Sequence, residues 1–306
     1  ATDPDETIML WPGMPPGGEN IHLTPTITER STTPAFKDRA ATGIIQPQLT
    51  VFRPENPDGS ALIIAPGGNY IRVVLDKEGF ESGRLLREQG ITVFVLRYRL
   101  PFEGWHTDAP LQDAQRAIRL VRARAGAFGI DPSRIGMVGF SAGGHVAASL
   151  VTCHAQNTYA PVDAADAQSA RPDFAALFYP IITMLEPHVF ADGRDALLGK
   201  DAPPEKRAAY SRERQVDTTT PPCFLLTARD DDVISAGNTL LMAEALRAAN
   251  IPAELHLFEC GGHGFGIRLA TGKSVAIWPE LFLNWGRAMV YFGPAGGGVQ
   301  SGKRGS

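Results

Sequence analysis

"VGFSAGGH", residues 138–145, sets a serine between glycines two positions to either side. Arg134–Gly139 before it reads as a short buried strand, with Ile135–Val138 at its centre. Gly144–Val151 after it reads as a helix. A Gly-x-Ser-x-Gly turn between a strand and a helix is so tight that its flanking positions have no room for a side chain. It lifts the serine Oγ above the sheet, at the positive end of the helix. Ser141 is therefore a candidate nucleophile. The plainer reading is an ordinary turn whose serine caps the helix, and the partners available elsewhere in the chain decide between the two.

Working outward, strands and helices alternate. "ALIIA" at Ala61–Ala65 is a continuous apolar run, the pattern of a strand covered on both faces. Leu49–Arg53 alternates like a half-buried edge strand. Ile91–Arg97, Phe174–Tyr179, Phe224–Thr227 and Glu254–Phe258 are further expected strands. Helices are expected at Glu78–Gln89, Asp108–Arg124, Ala236–Ala249 and Ile277–Tyr291, with a short one near Glu205–Glu213. This alternation predicts an α/β fold, with a mostly parallel sheet and helices on both faces. The expected organisation is one domain over 49–292, preceded by an irregular Pro- and Thr-rich wrap over 1–48. Residues 154–172 read as a polar loop, and 181–220 as a small cap on the carboxyl edge of the sheet, where open α/β folds bind ligands.

A serine hydroxyl attacks only when a base takes its proton. In folds that carry this turn, the acid and then the histidine follow the serine along the chain. His263, in Gly-Gly-His-Gly after the last expected strand, is the candidate base, since its glycines let the loop swing the imidazole toward Ser141. The acid belongs after the preceding strand, where the chain reads Asp230-Asp231-Asp232. Counting four residues from the strand end at Thr227 selects Asp231, with Ile234 three residues on; Asp230 is the alternative, and Asp232 reads as a solvated turn residue. An acyl-transfer site also needs donors for an oxyanion. Gly67 and Gly68, in "APGGNY" after the buried strand, and Ala142, next to Ser141, can supply backbone N–H groups. His145, within the serine's helix, reads as packed. Asn69, Tyr70, Trp105 and His106 are candidate substrate contacts, the aromatic faces being suited to sugar C–H surfaces.

Composition narrows the partners. A net charge of −4 provides no basic field and argues against nucleic acid. No apolar run is long enough for a membrane span. The three cysteines, Cys153, Cys223 and Cys260, are too few for a disulfide framework and read as buried thiols. No metal-ligand or phosphate-loop spacing is present, so no metal and no cofactor is implied. The numbering starts at Ala1 without methionine, which suits a processed chain and a periplasmic or secreted location, with a cytoplasmic one as the alternative. The Gly-rich tail 293–306 is expected to be disordered.

Beyond these motifs, "IIAPGGNY", "VLRYRLP", "DAQRAIRLVR", "GFSAGGHVAASL", "TPPCFLLTARDDDV" and "AELHLFECGGHGFG" resemble the α/β-hydrolase fold, in its esterase branch similar to hormone-sensitive lipase. Within that branch the chain is similar to the bacterial carbohydrate acetyl esterases of xylan-degrading systems. The resemblance spans most of residues 61–266 and implies Ser141 as nucleophile, Asp231 as acid, His263 as base, and Gly67, Gly68 and Ala142 as the oxyanion hole. It also implies a serine esterase acting on acetylated sugars or oligosaccharides. Pro66-Gly-Gly-Asn69 departs from the branch's His-Gly-Gly-Gly, and Phe140 stands where an acidic residue is common. A general carboxylesterase for small lipophilic esters and a feruloyl-type carbohydrate esterase are the alternatives.

Overall fold

A computed structural model describes residues 3, 4 and 6–294. The strands in chain order are β1 (Thr7–Met9), β2 (Thr26–Glu29), β3 (Arg39–Thr42), β4 (Gln48–Phe52), β5 (Ala61–Ala65) and β6 (Val73–Val74). They continue with β7 (Thr92–Arg97), β8 (Ile135–Phe140), β9 (Phe174–Phe178), β10 (Cys223–Ala228) and β11 (Ala253–Phe258). Among the described residues, eight of them form one sheet in the order β1-β4-β7-β5-β8-β9-β10-β11. β1 and β4 run antiparallel to their neighbours, and the strands from β7 onward are mutually parallel. β2, β3 and β6 make a second, antiparallel sheet.

The central strands β5, β8, β9 and β10 are buried at every position. Both faces of the sheet are therefore covered, as continuous apolar runs require. The helices are α1 (Glu81–Arg87), α2 (Ala109–Ala123), α3 (Ala125–Phe128), α4 (Ala142–Cys153), α5 (Ala191–Leu198), α6 (Pro204–Ala209), α7 (Gly237–Ala248) and α8 (Trp278–Ala288). Cross-strand register shows how two of them divide the faces. Gly139 pairs with Leu177 and Phe140 with Phe178, and successive residues of a strand point to opposite faces. Gly139 lies under Ala147 of α4. Phe140 and Phe178 pack on Trp278 of α8, and Phe224 and Phe282 extend that cluster. The serine's helix and the C-terminal helix thus clamp the middle of the sheet from opposite sides.

Several elements differ from the expected ones. The stretch 1–48 is not wholly irregular: Ile8 points into the core and β1 pairs with β4. A three-residue strand is too short to show periodicity. The helix expected from Glu78 starts as a π-turn at Leu75–Phe80. In the region 181–220 the short helix expected near Glu205–Glu213 is α6, which ends at Ala209 and is followed by a 3₁₀ turn at Arg212–Gln215; α5 is an additional helix. The last helix stops at Ala288, before left-handed Val290, and Tyr291 then folds back to stack on Phe174. Cys260 is exposed, because it lies past the end of the edge strand β11; Cys153 and Cys223 are buried. Gly293 is described, its N–H donating to Asp58. The rest of the expected disordered tail, residues 295–306, lies outside the described residues.

Candidate active site

Ser141 occupies the single position between β8 and α4, with φ 54° and ψ −119°. That backbone region is unfavourable for a side-chain-bearing residue and persists only where the surroundings enforce it. Here they do. Ser141 N–H donates to the Phe178 carbonyl at 3.0 Å, and the Ser141 carbonyl accepts from Gly144 at 2.9 Å and Ile181 at 3.1 Å. A Cβ on Gly139 would collide with the Gly143 carbonyl, and one on Gly143 with the Ala65 carbonyl. Both glycines are required by close approach of backbone to backbone.

The side chain of Ser141 faces His263, from the loop after β11. Oγ lies 2.9 Å from Nε2. On the other side of the ring, Nδ1 is 2.7 Å from Asp231 Oδ2. The Asp231 carboxylate is fully buried, and its Oδ1 accepts from the backbone of Val233 at 3.0 Å and Ile234 at 2.8 Å. An acceptor-only carboxylate at Nδ1 assigns the proton there, which leaves Nε2 to accept from Ser141 Oγ–H. The Tyr179 ring makes a T-shaped contact with the imidazole, with centroids 5.1 Å apart.

The neighbouring aspartates do other things. Asp230 Oδ1 accepts from Gly261 and Gly262 at 2.7 and 2.8 Å, bracing the start of the histidine loop. Its carboxyl is held below the usual range, first by the Gly262 amide. Asp232 is exposed.

The loop after β5 departs from the expected oxyanion arrangement. Gly67 N–H has an acceptor of its own, Glu78 Oε2 at 2.7 Å, so it does not point freely into the site. The amides of Gly68, Asn69 and Ala142 have no such acceptor among the described residues. Gly68, Asn69 and Tyr70 all have positive φ. This run turns the chain sharply beside Ser141.

The four residues read as substrate contacts separate. Tyr70 is buried, and its hydroxyl lies 2.7 Å from His145 Nδ1. His145 Nε2–H donates in turn to the Tyr210 carbonyl at 2.8 Å. Burial, with the nearby Arg212 charge, lowers the His145 pKa to about 3, so its imidazole is neutral and structural. Trp105 is also buried, donating to the Ile44 carbonyl at 3.1 Å beneath Arg99. Neither aromatic ring reaches the rim, because each has a polar tip satisfied inside. His106 is exposed and turned toward Asp108. Asn69 Oδ1 is buried without a partner and faces Gly193 of α5. Glu78 went unread in the sequence, since a glutamate within an expected helix carries no signal of burial. Among the described residues, no group of three or more His, Cys, Asp or Glu is placed to hold a metal, and no helix is long and apolar enough to cross a membrane.

A family model described as BD-FAE matches residues 49–246. The chain is 34% identical over 225 residues to an acetylxylan esterase of Xylanibacter ruminicola, covering 72% of this chain and 44% of that one. It is 32% identical over 235 residues to an endo-1,4-beta-xylanase B of Butyrivibrio fibrisolvens, covering 76% of this chain and 36% of that one. The chain thus spans less than half the length of these relatives. Among solved structures, an acetyl ester-xyloside bifunctional hydrolase of Caldicellulosiruptor lactoaceticus superposes with a TM-score of 0.77. The identity is 30%, over 95% of this chain and 99% of that one.

Proposed function

The chain belongs to the BD-FAE family and has the α/β-hydrolase fold; from that premise we propose that it is a serine esterase removing short acyl groups, acetyl above all, from carbohydrates such as xylan or its oligosaccharides. The observation that carries the chemistry is the unbroken run Ser141 Oγ, His263 Nε2, His263 Nδ1, Asp231 Oδ2, at 2.9 and 2.7 Å. The substrate class rests on the relatives named as an acetylxylan esterase and as an acetyl ester-xyloside bifunctional hydrolase.

In the reaction, Ser141 Oγ attacks the ester carbonyl while His263 Nε2 takes its proton. Asp231 holds the imidazole in the accepting tautomer and stabilises the imidazolium that forms. The oxyanion falls to the amides of Ala142, at the start of α4, and of Gly68 and Asn69, whose N–H groups are uncommitted. As the tetrahedral intermediate collapses, the acyl carbon–sugar oxygen bond breaks, and the imidazolium gives its proton to that departing oxygen, which leaves as the sugar hydroxyl. Water, activated by His263, then attacks the acyl-enzyme and releases acetate. A polymeric acetylated sugar is met outside the cytoplasmic membrane, which supports a periplasmic or secreted location.

The test is a rate profile of the wild-type protein on 4-nitrophenyl acetate, butyrate and octanoate beside acetylated xylo-oligosaccharides. Acetyl esters, sugar esters included, are expected to be turned over fastest. A preference for butyrate or longer chains, with no acetate released from the oligosaccharides, would move the assignment to a lipophilic carboxylesterase.

A further inference from the structure

Glu78 is a carboxylate buried beside Ser141 that the reaction above leaves unused. It is 3% exposed and lies in the π-turn Leu75–Phe80. Turns of this kind are rare and concentrate at functional sites. Burying a carboxylate is costly unless donors surround it, and the donors here come from both halves of the site. Oε2 accepts from Gly67 N–H at 2.7 Å. Oε1 accepts from the Tyr179 hydroxyl at 3.1 Å, whose oxygen accepts in turn from Gly266 N–H at 3.2 Å. Burial, and then the Glu78 charge, raises the Tyr179 phenol well above its usual range, so it remains a donor. A Cβ on Gly67 would lie 2.7 Å from Glu78 Oε2 and 2.8 Å from Ser141 Cβ. The carboxylate and the nucleophile therefore flank the same peptide.

From this juxtaposition we propose that Glu78 is a positioning residue for both the oxyanion loop and the histidine loop, an inference that rests on Ser141 and His263 being nucleophile and base. One arm fixes the Gly67 peptide, and with it the left-handed run through Gly68, Asn69 and Tyr70 that leaves the following amides free. The other arm runs through Tyr179 to Gly266, three residues after His263, and holds the Tyr179 ring in its T-shaped contact with the imidazole. Glu78 transfers no proton.

Glu78→Gln keeps the shape but offers one acceptor oxygen in place of two; with that oxygen on Gly67 N–H, its NH₂ group faces the Tyr179 hydroxyl, which loses the acceptor for its proton and must reorient. Active sites are counted by stoichiometric labelling with a fluorophosphonate, and rates on 4-nitrophenyl acetate are expressed per labelled site. A wild-type protein that neither hydrolyses the ester nor takes the label would remove the esterase reading, and this inference with it. With an active wild type, the expected result for Glu78→Gln is a fall in kcat per site of about 10- to 100-fold with KM within about twofold. Inhibition by an aryl trifluoromethyl ketone, which forms a tetrahedral oxyanion on serine, should weaken by the same factor. A role in folding alone would lower the number of labelled sites and leave kcat per site unchanged; that outcome overturns the proposal while the esterase reading stands. If Glu78→Gln does not fold, Tyr179→Phe keeps the Gly67 arm and severs the other. Its kcat per site should fall by about fivefold or more, and an unchanged value overturns the proposal.

Discussion

His263 Nδ1 and Asp231 Oδ2 stand 2.7 Å apart, while Asp230, one residue earlier, turns its carboxylate to the amides of Gly261 and Gly262. Adjacent aspartates thus serve the same histidine in different ways, one on its ring and one on its loop. Replacing Asp231 by Asn removes the charge and presents an NH₂ group that disfavours the Nδ1–H tautomer. The expected loss in kcat is about 10³- to 10⁴-fold. Asp230→Asn retains an oxygen for the two amides and should cost less than about tenfold. Steady-state kinetics of the two variants on 4-nitrophenyl acetate separate the roles, and equal losses would contradict the assignment.

Gly143→Ala tests the turn itself. The added methyl would overlap the carbonyl oxygen of Ala65, which is backbone and cannot rotate away. A forced backbone shift of this kind costs about 3 kcal/mol, and the thermal midpoint should fall by roughly 5 °C. Calorimetry of the variant is the check, and an unchanged midpoint would mean that the corner is looser than described.

His145 makes stability depend on acid. Its pKa falls from 6.5 in the unfolded chain to about 3 in the fold, through burial first and the Arg212 charge second. Between these values the unfolded state binds a proton that the native state does not, so this contribution is complete above about pH 6.5 and is lost as pH falls toward 3. The slope approaches about 1.4 kcal/mol per pH unit. Unfolding free energies from urea titrations of the wild type and His145→Gln at several pH values from 7 to 4 should change with pH at different rates, the variant giving a slope shallower by about one proton. Parallel slopes would show that His145 is charged in the fold.

How much of this was legible in the sequence depends on the range over which each feature is encoded. Ser141 and its glycines were legible because the steric demand of the turn is local. Asp231 followed from counting past a strand whose apolar run is continuous, and His263 from the glycines about it. Glu78 was hidden, since its partners Gly67 and Tyr179 lie 11 and 101 residues away. Its neighbourhood also gave no hint of a π-turn. Tyr70 and Trp105 were misplaced at the rim for a related reason. An aromatic ring near a site looks the same in sequence whether its polar tip faces a ligand or, as here, His145 and the Ile44 carbonyl. β1 was missed because three residues carry no periodicity.

The central claim is that Ser141 is the nucleophile of an esterase for acetylated carbohydrate. The most direct measurement is acetate release from acetylated xylan by the wild-type protein and by Ser141→Ala, at equal concentrations of folded protein. The account predicts steady release by the wild type and a loss of about 10⁴-fold or more in the variant. Full activity in Ser141→Ala would contradict it.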